Sequence, residues 1–154
     1  MGLAAMGSAL GTGTAGMAAL GAWKKCFIQN RPAPFILIAF VGAPLSQTIY
    51  GMILRNAILA AELPPDAVLW QLIYGVGGGL AMGLSSWMQG KAGACAADAF
   101  AETGKGFGYY IMVLGIIETV ALFGSVRSVD AISVELAGSG LGQETMPDVA
   151  GLGG

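Results

Sequence analysis

Charged residues are scarce in this sequence, and histidine is absent. Only 10% of its 154 residues are charged, whereas 55% are hydrophobic, and the mean hydropathy is +0.72. Since a soluble domain carries about 25% charged residues, the composition excludes an ordinary soluble domain. The seven Lys and Arg residues are spread along the chain, and the formal net charge is −2. No basic run is available to bind nucleic acid.

Motifs for nucleotide binding and for disulfide formation are also missing. The chain has no Gly-rich phosphate loop ending in Lys and Ser/Thr, so we expect it to bind no nucleotide. The cysteines, Cys26 and Cys95, form no CxxC pair and lie near the predicted cytoplasmic ends of their spans. We expect both to be unpaired, because a cytoplasmic setting disfavours disulfides.

Long apolar segments are what the sequence does contain. A membrane-spanning helix needs roughly 20 apolar residues. Four segments meet that length, with Glu118 as the one charge among them, and none has the polar face that a soluble helix shows. They are Met1–Trp23, Phe35–Leu54, Leu69–Met88 and Gly106–Val126. The sequence therefore predicts an all-α membrane protein with four transmembrane helices.

The order of charges predicts the topology of these helices. Lys24 and Lys25 follow 23 uncharged residues, an order that favours a retained helix over a cleaved signal peptide. The loop 24–33 is basic, whereas 62–66 contains two acids and no base. We also predict a cytoplasmic loop after the third span, with Lys91 and Lys105 opposed by acids. Because basic residues favour the cytoplasm, we expect both termini outside.

The two halves of the chain resemble one another. Phe35 and Phe107 begin the second and fourth spans 72 positions apart, and Tyr50-Gly51 corresponds to Phe123-Gly124 at an offset of 73. We therefore predict two tandem helical hairpins, at residues 1–61 and 62–128. Residues 129–154 are Gly-rich, and we expect a poorly ordered tail.

Each hairpin opens with a Gly-rich span. Six glycines lie in the first span and five in the third, with Gly7 and Gly11 spaced for close helix approach. Two explanations account for these glycines. One is ordinary packing within one monomer, and the other is the crowded inner surface of a ring of many copies.

Glu118 is the residue that most needs an explanation. An ionised carboxylate in mid-bilayer costs about 2.5–3.5 kcal/mol even on a lenient scale. Such a group persists when it is protonated, paired or bound to a cation. No Lys or Arg lies deep in a span as a permanent partner, and Lys91 can extend toward the cytoplasmic interface. A protonated Glu118 that links two helices is the structural alternative.

Other oxygen-bearing groups lie at a comparable depth. Ser46, Gln47 and Tyr50 share one helical face, and Gln89 ends the uncharged part of the third span. Pro44 disturbs the turn before it and leaves carbonyl oxygen free near residues 40–43. Hard cations prefer such oxygen ligands. A single carboxylate neutralises a monovalent cation, whereas a divalent ion would leave net charge in the lipid.

Several of these motifs together resemble a known family. The stretch Ala43–Gly51 (APLSQTIYG), the run Gln89-Gly90-Lys91 and the pair Glu118-Thr119 are similar to the membrane-ring proteolipid (the K or c subunit) of rotary V-type ATPases in its bacterial double-hairpin form. The resemblance covers about residues 5–128. Only the second hairpin keeps a carboxylate, since Leu45 stands at the corresponding position of the first, and this feature distinguishes the V-type from the single-hairpin F-type.

The resemblance implies a rotor subunit that is not an enzyme by itself. Many copies would form a homo-oligomeric ring in the cell membrane, in contact with lipid, and turn against a stator subunit. Central-stalk subunits would couple the ring to a soluble head that hydrolyses or synthesises ATP. Each Glu118 would take up an ion from one half-channel and release it into another.

The resemblance also implies the ion and its ligands. Sodium-binding members use a set that matches Glu118, Gln89, Gln47, Ser46 and the backbone carbonyl of Ala43. In the surrounding shell, Tyr50 would hold the carboxylate and Thr119 would lie beside it. We favour Na⁺ because two glutamines are superfluous for H⁺, whose carrier needs only a carboxyl group in apolar surroundings. The same rotor carrying H⁺, or a four-helix secondary transporter, are the alternatives.

Overall fold

Four long helical spans make up the described part of the protein. The structure, a computed structural model, describes residues 1–60 and 68–138. The spans are the first helix (Gly2–Ile28), the second span (Phe35–Ala60), the third helix (Val68–Thr103) and the fourth helix (Phe107–Gly138). Each contains a stretch that is long and apolar enough to cross a membrane, and the described residues contain no strand. The predicted all-α, four-span fold is confirmed.

All four spans are longer than the apolar stretches that predicted them, and the third and fourth helices are extended the most. The third helix has 36 residues, a length of about 54 Å, so Lys91 lies on the helix and not in the predicted loop. The fourth helix continues to Gly138 and so includes the first ten residues of the predicted tail. Hydropathy marks where apolar residues end, whereas backbone hydrogen bonding continues into polar sequence. The acidic connection Glu62–Asp66 and residues 139–154 lie outside the described residues.

Backbone geometry accounts for the two described turns. The first helix ends at Ile28, and Asn30 then has a positive φ of 51° before Pro32 and Pro34 prevent further helix. The third helix is followed by Gly104 and Gly106, with φ of 65° and 87°. Glycine adopts this region without steric cost, which permits the tight reversal into the fourth helix.

The first and third helices pack backbone to backbone along their length. A side chain at Gly7 would overlap the backbone of Gly83, and one at Gly90 would overlap Gly11. The second span and the fourth helix contact one another and lie beside the third helix. Small residues therefore allow the backbones of these two helices to approach one another closely.

Apolar side chains form two buried clusters at different depths. One is centred on Phe40 and Leu114, and the other on Leu54 and Met82. In the second span, the third helix and the fourth helix alike, polar residues lie between the two clusters: Ser46 and Gln47, then Ser85, Ser86 and Gln89, then Glu118. The polar layer is thus enclosed by apolar packing above and below.

Polar contacts join the two hairpins at the end of the helices where the two described turns lie. Lys25 Nζ lies 2.9 Å from a carboxylate oxygen of Asp98 and 3.5 Å from one of Glu102. Arg31 Nη2 donates to the carbonyl oxygens of Ala101 and Glu102, at 3.1 and 3.0 Å. Arg31 thereby caps the last turn of the third helix, where carbonyl groups lack helical partners.

Candidate ion-binding site

The second span is interrupted at Pro44, and this interruption begins the site. Proline has no backbone N–H, so the α-helix stops at Gly42, a 3₁₀ turn covers Ala43–Leu45, and the α-helix resumes at Ser46. The Ser46 hydroxyl lies 3.2 Å from the Ala43 carbonyl oxygen and 3.2 Å from Gln47 Oε1. Three neutral oxygens are therefore adjacent on one side of the span.

Two fully buried amides connect this span to the third helix. Gln47 and Gln89 are both 0% exposed. Gln47 Nε2 donates to Gln89 Oε1 at 2.8 Å, and Gln89 Nε2 donates to the Leu114 carbonyl oxygen at 3.0 Å. Since Leu114 belongs to the fourth helix, the pair of amides joins all three elements. A buried amide that is hydrogen-bonded on both sides has a defined orientation.

Glu118 receives hydrogen bonds at both carboxylate oxygens. The Tyr50 hydroxyl donates to Oε1 at 2.9 Å, and Gln89 Nε2 lies 3.5 Å from Oε2. Among the described residues, no basic side chain forms an ion pair with Glu118. Neutral donors therefore surround the carboxylate, and its charge is left for a proton or a cation to balance.

Two residues that the sequence places near Glu118 do not join this cluster. Thr119 is exposed, and its hydroxyl donates to the Ile116 carbonyl oxygen of its own helix at 2.7 Å. Lys91 extends back along the third helix, away from the C-terminal end of that helix, and its Nζ lies 4.0 Å from the ring centre of Trp87. The cation–π contact with Trp87 engages Lys91 on the exposed face of the third helix.

Ser85 and Ser86 are contacts of the site that sequence reasoning missed. Ser85 Oγ donates to the Ile117 carbonyl oxygen at 2.8 Å, and Ser86 Oγ donates to the Pro44 carbonyl oxygen at 2.7 Å. The signal in the sequence is two consecutive serines, three and four residues before Gln89, in a Gly-rich apolar helix. Serine is common in packed membrane helices, which is why the pair by itself indicated nothing.

The chemistry of the site follows from one acid and several neutral oxygens. The Glu118 carboxylate supplies one negative charge, and the oxygens of Ser46, Gln47 and Ala43 supply uncharged ligands. Such a set suits a proton or a monovalent cation, and its oxygen chemistry suits a hard ion. The residues come from three helices, so the arrangement depends on how those helices are packed.

One family comparison bears on this arrangement. Residues 72–129 match the family model that describes the C subunit of ATP synthase. The matched segment contains the third helix from Leu72 onward and most of the fourth helix, and thus both Gln89 and Glu118. No curated protein and no solved structure matches the chain.

This match supports an ion-translocating, c-type rotor proteolipid of an ATP synthase or ATPase. Proteins of the matched family are multi-pass membrane subunits, are not catalytic by themselves, and form homo-oligomeric rings in ATP synthases.

Proposed function

We propose that this chain is the rotor-ring subunit of a V-type rotary ATPase and carries Na⁺ at Glu118. The observation that carries the sodium assignment is the convergence of the Ser46, Gln47 and Ala43 oxygens on the face that also presents Tyr50 to Glu118. A proton carrier needs the carboxyl group alone, whereas a cation needs several oxygens to replace its water. Thr119, which lies outside the cluster, is not needed for this site.

The V-type assignment rests on the number of spans for each carboxylate. The four apolar segments of the sequence contain a single carboxylate, Glu118, and Leu45 occupies the corresponding position of the first hairpin. A rotor built from such chains carries one ion per four helices. The stator subunit, the central-stalk subunits, a bacterial cell membrane and outside termini belong to the same proposal.

The geometry suits a carrier that alternates between two states. With Na⁺ bound, the ion would balance the carboxylate and would be held by Gln89, Gln47, Ser46 and the Ala43 carbonyl. After release, the Tyr50 hydroxyl and the Gln89 amide would still donate to the carboxylate, at the positions that they occupy in this structure. Donors of this kind lower the cost of a transient charge without trapping it permanently, as a nearby Lys or Arg would.

Labelling by a hydrophobic carbodiimide tests the proposal, because this reagent modifies protonated carboxyl groups in apolar surroundings. The purified complex would be labelled over a range of pH with no added cation, with Na⁺ and with K⁺. We expect Na⁺ to protect Glu118 and K⁺ to have no effect. Glu118→Gln is the control for the site of modification, and the exposed Asp98 and Glu102 are internal controls for non-specific labelling.

Two outcomes would contradict parts of the proposal. Labelling that follows pH alone, whatever the cation, refutes Na⁺ and leaves a rotor that carries H⁺. A native complex with the mass of a monomer or dimer refutes the ring and favours the secondary transporter. Native mass spectrometry of the same preparation provides the second measurement.

A further inference from the structure

The two serines next to the site hold different ligand-bearing helices. Ser85 and Ser86 are consecutive residues of the third helix, so their side chains point about 100° apart. Ser85 Oγ reaches the carbonyl oxygen of Ile117, the residue directly before Glu118, at 2.8 Å. Ser86 Oγ reaches the carbonyl oxygen of Pro44, within the 3₁₀ turn Ala43–Leu45, at 2.7 Å.

Both serines are buried, so water does not compete for these bonds. Ser85 is 6% exposed and Ser86 is 0% exposed. The oxygen of Ser86 also lies 3.2 Å from Ser8 Oγ, which ties the first helix to the same point. A buried hydroxyl that bonds a carbonyl of another helix fixes the position of that helix at the point of contact.

We propose that Ser85 and Ser86 are positioning residues for cation selectivity at Glu118. They fix the distance between the carboxylate-bearing turn of the fourth helix and the oxygen-bearing turn of the second span. A cation requires that spacing, because it contacts oxygens on both elements at once. A proton resides on the Glu118 carboxyl alone and does not require it. Loss of either hydroxyl therefore weakens Na⁺ binding and leaves protonation of Glu118 intact.

The test uses the carbodiimide assay on the assembled complex. The proposal itself rests on the proposed sodium function. The variants are Ser85→Ala, Ser86→Ala and the double variant. The readouts are the Na⁺ concentration that half-protects Glu118 and the pH profile of labelling without Na⁺. Each hydroxyl donates one buried hydrogen bond to a carbonyl of a ligand-bearing helix, so each single variant should raise the half-protecting concentration roughly fivefold, with the pH profile unchanged.

Two further variants separate positioning from general stability. Ser85→Thr keeps the hydroxyl, and a groove of about 440 Å³ lined by Ser85, Met88 and Ile116 offers space for the extra methyl group. It should retain the affinity of the unsubstituted chain. Ser125→Ala is the matched control, because Ser125 is 8% exposed and, within the described part of the chain, its hydroxyl bonds only the Leu122 carbonyl of its own helix. It should leave the half-protecting concentration unchanged.

Three results would overturn the proposal, and they are distinguishable. Unchanged sodium protection in both alanine variants refutes the role of the serines while leaving the sodium site in place. Loss of labelling without Na⁺ in the assembled variants shows that the serines maintain Glu118 itself and not the spacing. Absence of sodium protection in the unsubstituted complex refutes the sodium function on which the proposal rests. If Ser86→Ala does not assemble, the comparison of Ser85→Ala with Ser85→Thr still shows whether the hydroxyl group is needed for sodium affinity.

Discussion

Replacement of Gln89 by leucine should weaken sodium binding far more than it affects assembly. Leucine retains a similar apolar volume and removes both polar groups of the amide. Gln89 is fully buried and contacts Gln47 at 2.8 Å, the Leu114 carbonyl at 3.0 Å and Glu118 at 3.5 Å. No side chain among the described residues replaces these three contacts at the same place.

The magnitude follows from what the substitution removes. In the sodium-bound state the ion would lose its contact with the Gln89 amide oxygen, an interaction with a charged group that contributes about 1.5–3 kcal/mol, and the contact that orients Gln47 contributes about 1 kcal/mol more. A total of about 2.5–4 kcal/mol corresponds to a roughly one hundred- to one thousandfold rise in the sodium dissociation constant. The Tyr50–Glu118 hydrogen bond is untouched, so carbodiimide labelling of Glu118 without sodium should persist.

Sodium protection of Glu118 against carbodiimide, titrated on the purified complex, measures this change. Gln71→Leu is the matched control, since Gln71 lies on the same helix roughly 27 Å from Gln89 and has no contact with the site. The control should bind sodium as the unsubstituted chain does. A dissociation constant for Gln89→Leu within threefold of the unsubstituted value would refute the reasoning, as would complete loss of the assembled complex.

Three further changes test other parts of the structure. Glu118→Gln should abolish carbodiimide labelling and ion transport by reconstituted complex, and transport that persists would contradict the site. Gly90→Ala should lower the thermal unfolding temperature of the complex, because the added methyl group overlaps Gly11, whereas Gly77→Ala, which faces open space, should not. Equal unfolding temperatures would contradict the close packing of these helices. Arg31→Met should uncap the third helix at a local cost of about 1–2 kcal/mol, which hydrogen exchange at residues 100–103 would report as roughly five- to thirtyfold faster exchange.

The number of spans could be predicted from the sequence, and Glu118 could be singled out there as the candidate ion carrier. Four apolar segments predicted four helices because a bilayer requires each backbone polar group to be satisfied within its own helix. Glu118 stood out because an ionised carboxylate in lipid is costly enough to require a function or a partner. Both inferences depend on local composition and need no knowledge of helix neighbours.

The ends of the helices were less accessible. The third helix runs to Thr103 and the fourth to Gly138, well beyond the apolar segments. Helical hydrogen bonding does not depend on apolar side chains, so polar sequence continues a helix outside the lipid. Turn residues with positive φ, such as Gly104 and Gly106, mark the true boundary between these two helices.

Tertiary structure alone decided which polar groups meet. Gln47 and Gln89 are 42 residues apart, and their hydrogen bond exists because the second span packs against the third helix. The resemblance to a rotor family predicted that these residues act together, but periodicity could only place each on a face of its own helix. Ser85 and Ser86 needed the structure entirely, because a hydroxyl acquires a positioning role only when another helix places a carbonyl oxygen within its reach.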